Sequence, residues 1–218
     1  MINKHAISRN IKWIFFGEII NKLLILLITV IIGRAIGVEG YGEYNLLLSI
    51  IVILAVISDF GLSYLVIREI SQKKRFEQYV HNLLFVKIIL SIIFLILVIL
   101  YGHFFIKNPM LIFPFYFLSF FNVLFSISEL VRSILKAHEK MKLDAIFKIF
   151  GTLILFSLVV FATLKYKNLY FISLFYAISG LLIFIINFCA IKKYIFSVRI
   201  NLDYGIIKKI MLNSLPFF

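Results

Sequence analysis

The fold class is decided by one stretch, residues 83–106, which reads LLFVKIILSIIFLILVILYGHFFI. A helix needs about 20 mostly apolar residues to cross the hydrocarbon core of a bilayer. From Ile88 to Leu100 the stretch is apolar on every side apart from Ser91. A barrel strand would instead alternate apolar and polar residues over about ten positions. The stretch therefore predicts a transmembrane helix.

Five more complete stretches of this kind flank it: Ile11 to Ile36, Tyr44 to Ile67, Met110 to Leu135, Ala145 to Leu164 and Leu169 to Ile191. A seventh begins near Ile206 and stops at Phe218. We predict an all-α, polytopic transmembrane bundle with six complete spans and the start of a seventh. It divides into a transmembrane lobe (1–191), a cytoplasmic linker (192–205) and a truncated seventh helix (206–218). Because unpaired backbone groups in hydrocarbon are heavily penalised, we expect a C-terminal half to follow.

Composition supports lipid as the solvent. Hydrophobic residues make up 63% of the chain and charged residues 15%, with a mean hydropathy of +1.07. A soluble domain has about a quarter of its residues charged. The net charge of +13 comes from short basic clusters between apolar runs, which favours a membrane over a nucleic-acid partner. Cys189 is the single cysteine, which excludes a disulfide framework and a cysteine metal site.

The basic residues predict the orientation in the membrane. One side holds Lys4, Arg9, Lys12, Arg68, Lys73, Lys74, Arg75, Arg132, Lys136, Lys140, Lys142, Lys192, Lys193, Arg199, Lys208 and Lys209. The other side holds Arg34, Lys107, Lys165 and Lys167. The positive-inside rule places the richer side, and with it the N-terminus, in the cytoplasm of a cell-membrane protein. The opposite connections are short, so they leave little room for an external domain.

One segment carries a family resemblance. Residues 33–44 read GRAIGVEGYGEY, followed by SDFGLS at 58–63 and IREI at 67–70. This order resembles the first hairpin of the polysaccharide biosynthesis (Wzx-type) flippases of the multidrug/oligosaccharidyl-lipid/polysaccharide export (MOP) superfamily. There a helix ends in Arg-x-x-Gly, a Tyr-Gly-x-Tyr turn follows, and the next helix closes with Asp-x-Gly-Leu and Arg-Glu. The Leu215-Pro216 pair resembles the Leu-Pro that often opens the seventh helix of that family.

The resemblance implies one lobe of a two-lobe transporter that moves an isoprenoid-linked oligosaccharide across the cytoplasmic membrane by alternating access. It implies membrane lipid, a lipid-linked sugar and a missing C-terminal lobe as partners, with glycan-assembly proteins as candidates and no nucleic acid. Other branches of the superfamily stay open, namely a drug or cation antiporter or a lipid II flippase. Because only one lobe is present, a non-transporting remnant also stays open.

Polar residues inside the spans are the candidate substrate site. A charge at the centre of a spanning helix costs at least about 2.5–3.5 kcal/mol, so such residues usually face a bundle interior or a wet cavity. The candidates are Glu18, Asn21, Lys22, Lys87, Asn122, Glu129, Arg132 and Lys148. The basic members would pair with a phosphate or pyrophosphate of the substrate.

A structural interpretation of the same residues stays open. Glu18 and Lys22 are four residues apart, and Glu129 and Arg132 are three apart, so each pair could neutralise itself within its helix. The long side chains of the lysines at 22, 87 and 148 could instead reach the cytoplasmic headgroups.

The candidate structural motif consists of Gly33, Gly37, Gly40, Gly42, Asp59 and Gly61. The spacing of Gly33 and Gly37 lets two helices approach closely. Gly40 and Gly42 would allow a tight hairpin. Asp59 either caps a local helix break or forms a cation site.

Catalytic patterns are absent from the sequence. The four histidines are scattered, and the chain shows no His-Glu-x-x-His, Gly-x-Ser-x-Gly or P-loop pattern. A membrane-embedded polymerase or glycosyltransferase would normally need a sizeable extramembrane loop with acidic residues, which this chain lacks. We therefore predict that the protein is not an enzyme and has no metal site and no cofactor.

Overall fold

The computed structural model describes residues 4–59, 61–62, 65, 76–138, 140–195 and 203–214. The helices in this part of the chain are α1 (Lys4–Asp59), α2 (Phe76–Phe105), α3 (Pro109–Ala137), α4 (Met141–Tyr166), α5 (Leu169–Ile195) and α6 (Tyr204–Ser214). The first five are long and apolar enough to cross a membrane, by length and composition. Leu215-Pro216, the basic cluster at 73–75 and linker residues 196–202 lie outside the described residues.

Helix α1 consists of two helical arms, residues 4–36 (the first arm) and 38–59 (the second arm), which meet at Gly37. The backbone of Gly37 has φ 76° and ψ −177°, a region that is essentially reserved for glycine. The sequence predicts six spans, whereas five helices of the structure are long enough to cross a membrane. The two counts differ because the prediction divides α1 into two spans near this break.

The contacts between helices show that successive segments reverse direction. The first arm runs parallel to α4, and α3 runs parallel to α5. Antiparallel pairs are α4 with α5, α2 with α3, and the second arm with α2. The arms of α1 are therefore antiparallel to each other. The parallel pairs are shown by Trp13–Lys142 and Glu18–Lys148 for the first arm and α4, and by Phe117–Tyr170 and Phe121–Tyr176 for α3 and α5. The antiparallel pairs are shown by Tyr166–Phe171 and Phe161–Phe175 for α4 and α5, and by Tyr101–Phe115 and Lys87–Ser126 for α2 and α3. For the second arm and α2 the evidence is the pair Asp59–Lys87 and the groove that Leu47 and Tyr101 share.

The glycines expected to form the turn lie elsewhere in α1. Gly40 and Gly42 belong to the helical second arm, and a methyl group added to Gly42 would meet open space. The chain reverses at Gly37 instead, because the required positive φ falls on that residue. Gly33 packs against the ring of Tyr41, where an added Cβ would lie 3.4 Å from the ring.

The first arm and α4 approach each other closely at Gly17. A Cβ added to Gly17 would lie 3.2 Å from the Cβ of Ala145. Pairs of residues above and below this point continue the contact, so the two helices keep one register along several turns. Small residues permit such close helix packing inside membranes.

Two apolar cores fill the bundle. The larger one joins all five long helices, with Ile32, Leu47, Phe94, Phe115, Val159 and Ile172 fully buried. The smaller one collects Leu62, Leu83, Leu130, Ile134 and Ile210.

Helix α6 packs on the smaller core through Ile210. Its N-terminus is fixed by Asp203, whose backbone N–H donates to Oδ1 of Asn82 at 3.0 Å and whose carboxylate accepts from the N–H of Gly205 at 2.8 Å. With 11 residues, α6 is about 16 Å long, shorter than a membrane crossing.

Candidate functional site

A group of ionisable side chains joins α1, α2, α3 and α4. Within the described part of the chain it comprises four cations, Lys87, Arg132, Lys136 and Lys148, and four anions, Glu18, Asp59, Glu129 and Asp144. We call these eight residues the polar layer. Each of the four cations has a carboxylate within 4.0 Å, and Asp144 is shared by Arg132 and Lys136. Such pairing is what burial in a low-dielectric medium requires, because an unpaired charge there is strongly destabilising.

Lys87 is a buried cross-link between three segments. Its side chain is 0% exposed. The ammonium group donates to the carbonyl of Ser58 at 2.9 Å, to Oδ1 of Asp59 at 3.0 Å and to Oγ of Ser126 at 2.6 Å. These bonds use all three donors of a lysine. Lys87 therefore does not extend to the headgroups, and the carboxylate of Asp59 is its ion-pair partner.

Glu18 pairs across helices rather than within its own. Its Oε1 accepts from Nζ of Lys148 at 2.5 Å, which joins the first arm to α4. Lys22, four residues along the first arm, is exposed and interacts with Glu18 only at longer range. One turn further along the interface, Oγ1 of Thr152 donates to Oδ1 of Asn21. The within-helix neutralisation of Glu18 by Lys22 is therefore not the arrangement in this structure.

Arg132 is buried beside Asp144 of α4. Its side chain is 3% exposed, and Nε lies 3.6 Å from Oδ1 of Asp144, beyond hydrogen-bond distance. Neither atom has a hydrogen-bond partner among the described residues. The guanidinium also lies 5.7 Å from the ring centroid of Phe125, and Lys136 lies 3.7 Å from the other oxygen of Asp144.

Asp144 was missed by sequence reasoning, although a signal for it exists. It stands in the first turn of α4, where acidic residues interact favourably with the helix dipole. Because an aspartate is common in the first turn of a helix, the position alone does not mark Asp144 as part of a site. Its pairing with Arg132 and Lys136 follows from the packing of α3 on α4, which no spacing within one helix reveals.

A cavity of about 260 Å³ opens between α1, α3, α4 and α5. Four of the predicted site residues line it: Asn21, Asn122, Arg132 and Lys148. Glu18 lies at its border through Lys148, whereas the side chains at 22, 87 and 129 are not part of its wall. Aromatic residues form much of the rest, namely Tyr44, Phe121, Phe125 and Tyr176.

The two tyrosines of the cavity wall are joined to each other. Their hydroxyl oxygens lie 2.9 Å apart, and both side chains are buried. This contact ties the second arm to α5. Among the described residues, no group of three or more histidine, cysteine, aspartate or glutamate side chains is placed to hold a metal ion.

Comparisons with known proteins identify the fold. One similar structure is a MOP superfamily transporter from Pyrococcus furiosus Vc1 (DSM3638), with a TM-score of 0.71 and 19% identity. Another is the outward-facing conformation of a multidrug resistance MATE family transporter of the MOP superfamily, with a TM-score of 0.68 and 18% identity. Each comparison covers 97% of this chain and 51% of the other, so the chain spans about half the length of these transporters. A search of curated protein sequences gave no significant match.

The sequence itself matches the family described as polysaccharide biosynthesis protein over residues 7–218. The match covers nearly the whole chain and agrees with the resemblance in the first hairpin. The helices described above make the chain a multi-pass membrane protein. It belongs to the polysaccharide biosynthesis protein family, and its fold is similar to half of solved MOP superfamily transporters.

Proposed function

We propose that this chain is the N-terminal, six-span lobe of a flippase that moves a lipid-linked oligosaccharide across the cytoplasmic membrane, with the N-terminus in the cytoplasm. The observation that carries the proposal is the cavity, where Asn21, Asn122, Arg132 and Lys148 come together from three helices in a member of this family. Transporters of repeated architecture commonly bind substrate near the interface of their repeats.

The size of the cavity limits what it can hold. Its volume is about 260 Å³. Pockets for drug-sized ligands span about 300–1,000 Å³. An oligosaccharide with its lipid carrier therefore lies mainly outside this cavity, in a space between this lobe and a second one.

Among the four cations of the predicted site, Lys22 is the one that we propose to meet the phosphate of such a substrate. Each cation of the polar layer has an anion within 4.0 Å. Lys22, in contrast, is exposed on the first arm and makes no ion pair with a described residue. An exposed, unpaired ammonium can bind phosphate without first breaking a buried ion pair.

The proposal includes a second lobe. The downstream DNA tests this part directly: a continuing reading frame with about six further spanning segments is expected. A stop codon soon after Phe218 would instead favour a non-transporting remnant. A drug or cation antiporter would be favoured by net acidic walls, whereas the charged residues of the cavity wall, Arg132 and Lys148, are both basic.

Export of surface polysaccharide in a flippase-deficient host tests the function. The complete two-lobe protein should restore export, and Lys22→Gln should reduce it without lowering the amount of protein in the membrane. A lost charge-assisted contact of about 1.5–3 kcal/mol corresponds to a ten- to hundredfold loss of affinity. Lys12→Gln, which removes another exposed cation of the same arm, is the matched control. Normal export by Lys22→Gln would return Lys22 to a headgroup-facing role.

A further inference from the structure

A groove lies at the end of the bundle where α2 joins α3, apart from the cavity described above. Its volume is about 430 Å³. The second arm contributes Leu46, Leu47 and Ile50 to its wall, and α2 contributes Tyr101 and Phe105. Leu47 is 0% exposed at the bottom, whereas Leu46 is 55% and Phe105 68% exposed. The groove therefore opens at the surface of the lobe, within the spanning part of its helices.

An acyl chain is the occupant that suits such a groove in a bilayer. An ordered water needs about two to four polar partners, and an empty groove forfeits dispersion contacts along its apolar wall. Lipid tails are about as apolar as leucine, so a chain that fills the groove gains little preference from packing alone. Selectivity between lipids has to come from polar groups at the end of the groove, where the headgroup lies.

Lys107 supplies a cation at that end. It lies in the short connection between α2 and α3, and it is the one charged residue among the described residues that line the groove. Its side chain is exposed and forms no ion pair with a described residue. The neighbouring Asn108 is already engaged, because its Oδ1 accepts a hydrogen bond from the N–H of Met110 at 3.1 Å and caps α3. Lysines at the ends of spanning helices extend to the headgroup level, where lipid phosphates lie.

Glu43 supplies an anion at the same end. It precedes Leu46 by three residues and Leu47 by four, so helical spacing places it on the groove face of the second arm. From the level that Leu47 and Tyr101 share, Glu43 lies about 6 Å further along the arm. Phe105, the last residue of α2, lies about 6 Å further in the same direction. Glu43 is partly exposed and forms no ion pair with a described residue, so a cation and an anion flank the end of the groove without pairing with each other.

We propose that this groove binds one phospholipid whose headgroup carries both a phosphate and a primary ammonium, as phosphatidylethanolamine does. Lys107 binds the phosphate, Glu43 accepts hydrogen bonds from the ammonium, and the upper part of one acyl chain fills the groove. Phosphatidylglycerol brings no ammonium and would leave Glu43 unpaired beside a second negative charge. Phosphatidylcholine brings a quaternary ammonium, which has no N–H to donate. The site is independent of the proposed export function, because it requires the groove and not the cavity.

Native mass spectrometry of the complete protein in detergent tests the site. The probes are dioleoyl phosphatidylethanolamine, dioleoyl phosphatidylcholine and dioleoyl phosphatidylglycerol, which share their acyl chains and differ in the headgroup. Titration gives the number of bound lipids and their Kd. We expect one saturable site for phosphatidylethanolamine, with a Kd at least about tenfold lower than for the other two lipids, as expected for one hydrogen bond between charged groups.

Two headgroup variants locate the contacts. Glu43→Gln should remove the preference for phosphatidylethanolamine, because the carboxylate that accepts from the ammonium is lost. Lys107→Gln should weaken all three lipids about tenfold or more, because each of them carries a phosphate. Lys165→Gln is the matched control, since Lys165 is an exposed cation at the same end of the bundle but lies outside the groove. Its loss should leave every Kd unchanged.

A variant that fills the groove tests the place of the acyl chain. Leu46→Trp puts a large side chain into the groove from its exposed rim and should abolish the saturable site for every headgroup. Leu164→Trp, at a 63% exposed position outside the groove, should bind lipid normally. Leu46→Trp also decides the matter if a headgroup variant does not fold.

Three results would overturn the proposal. Absence of a saturable lipid on the complete protein would mean that a second lobe covers the groove. Tighter binding of phosphatidylglycerol, or an unchanged preference in Glu43→Gln, would refute the role of the ammonium. Normal binding by Leu46→Trp would place the lipid elsewhere on the protein.

Discussion

The ammonium of Lys87 lies 3.0 Å from the carboxylate of Asp59, yet the two partners sit in very different surroundings. The lysine side chain is 0% exposed, whereas that of the aspartate is 41% exposed. Removing either partner therefore leaves a different group behind. Loss of the aspartate leaves a buried ammonium without its anion, and loss of the lysine leaves a carboxylate that water can solvate.

We predict an asymmetry between the two single variants. Asp59→Asn should lower the free energy of unfolding by about 3–5 kcal/mol, the usual effect of breaking a buried ion pair. Lys87→Met should lower it by clearly less, because the half-exposed carboxylate keeps water contacts. Denaturant unfolding of the purified chain in detergent measures both. Equal losses would contradict the exposures on which the prediction rests.

The partner of Glu18 can be identified by double-mutant cycles. The structure pairs Glu18 with Lys148, so the variants Glu18→Gln and Lys148→Gln should show a coupling energy of about 1 kcal/mol in unfolding free energy. The double variant should be better tolerated than the sum of the single ones. The cycle with Lys22→Gln in place of Lys148→Gln is the control, and its coupling should be near zero. The reverse result would restore the within-helix pairing that the sequence left open.

The hairpin in α1 should depend on Gly37 more than on Gly42. Any other residue at Gly37 has to adopt φ near 76°, at a cost of about 1–3 kcal/mol. Gly37→Val should therefore reduce accumulation of the protein in the membrane. Gly42→Ala should stabilise the second arm by roughly 0.5–1 kcal/mol, because the position is helical and the added methyl meets open space. Thermal unfolding of the two variants measures the difference. A lower Tm for Gly42→Ala than for Gly37→Val would contradict the assignment of the turn to Gly37.

Orientation can be tested with an impermeant thiol reagent in intact cells. Cys189 is exposed and has to be replaced by serine first. In that background, cysteines at Val38 and Lys167 should react, whereas those at Lys140 and Lys73 should be protected. Val38 is 93% exposed and Lys167 is also exposed, and Lys73 lies outside the described residues. Labelling in the opposite pattern would reverse the proposed topology.

Much of the fold could be predicted from the sequence because lipid imposes a simple rule. Each long apolar run has to be helical, so a run such as 83–106 indicates its own structure. The site could be predicted only in part. Asn21, Asn122, Arg132 and Lys148 line the cavity, as polar residues inside spans tend to face inward, and their role in binding stays a prediction.

Partners between helices could not be predicted in the same way. Spacing along one helix suggested Lys22 for Glu18, but the cation that binds Glu18 comes from α4. The prediction of where the chain turns was wrong for a related reason. Three glycines lie within six residues, and only the backbone conformation shows that Gly37 carries the reversal.

The close contact between Gly17 and Ala145 has a mechanical consequence. Because a Cβ at Gly17 would lie only 3.2 Å from the Cβ of Ala145, a bulkier residue at position 17 would push the first arm and α4 apart. We expect the two helices to move together in the proposed transport cycle. Their far ends meet joints in which the chain takes a positive φ, 76° at Gly37 and 47° at Lys167. Gly37 and Lys167 lie at the same end of the bundle, and we expect backbone rotation at these residues to move the first arm and α4 and so to change the shape of the cavity beside them.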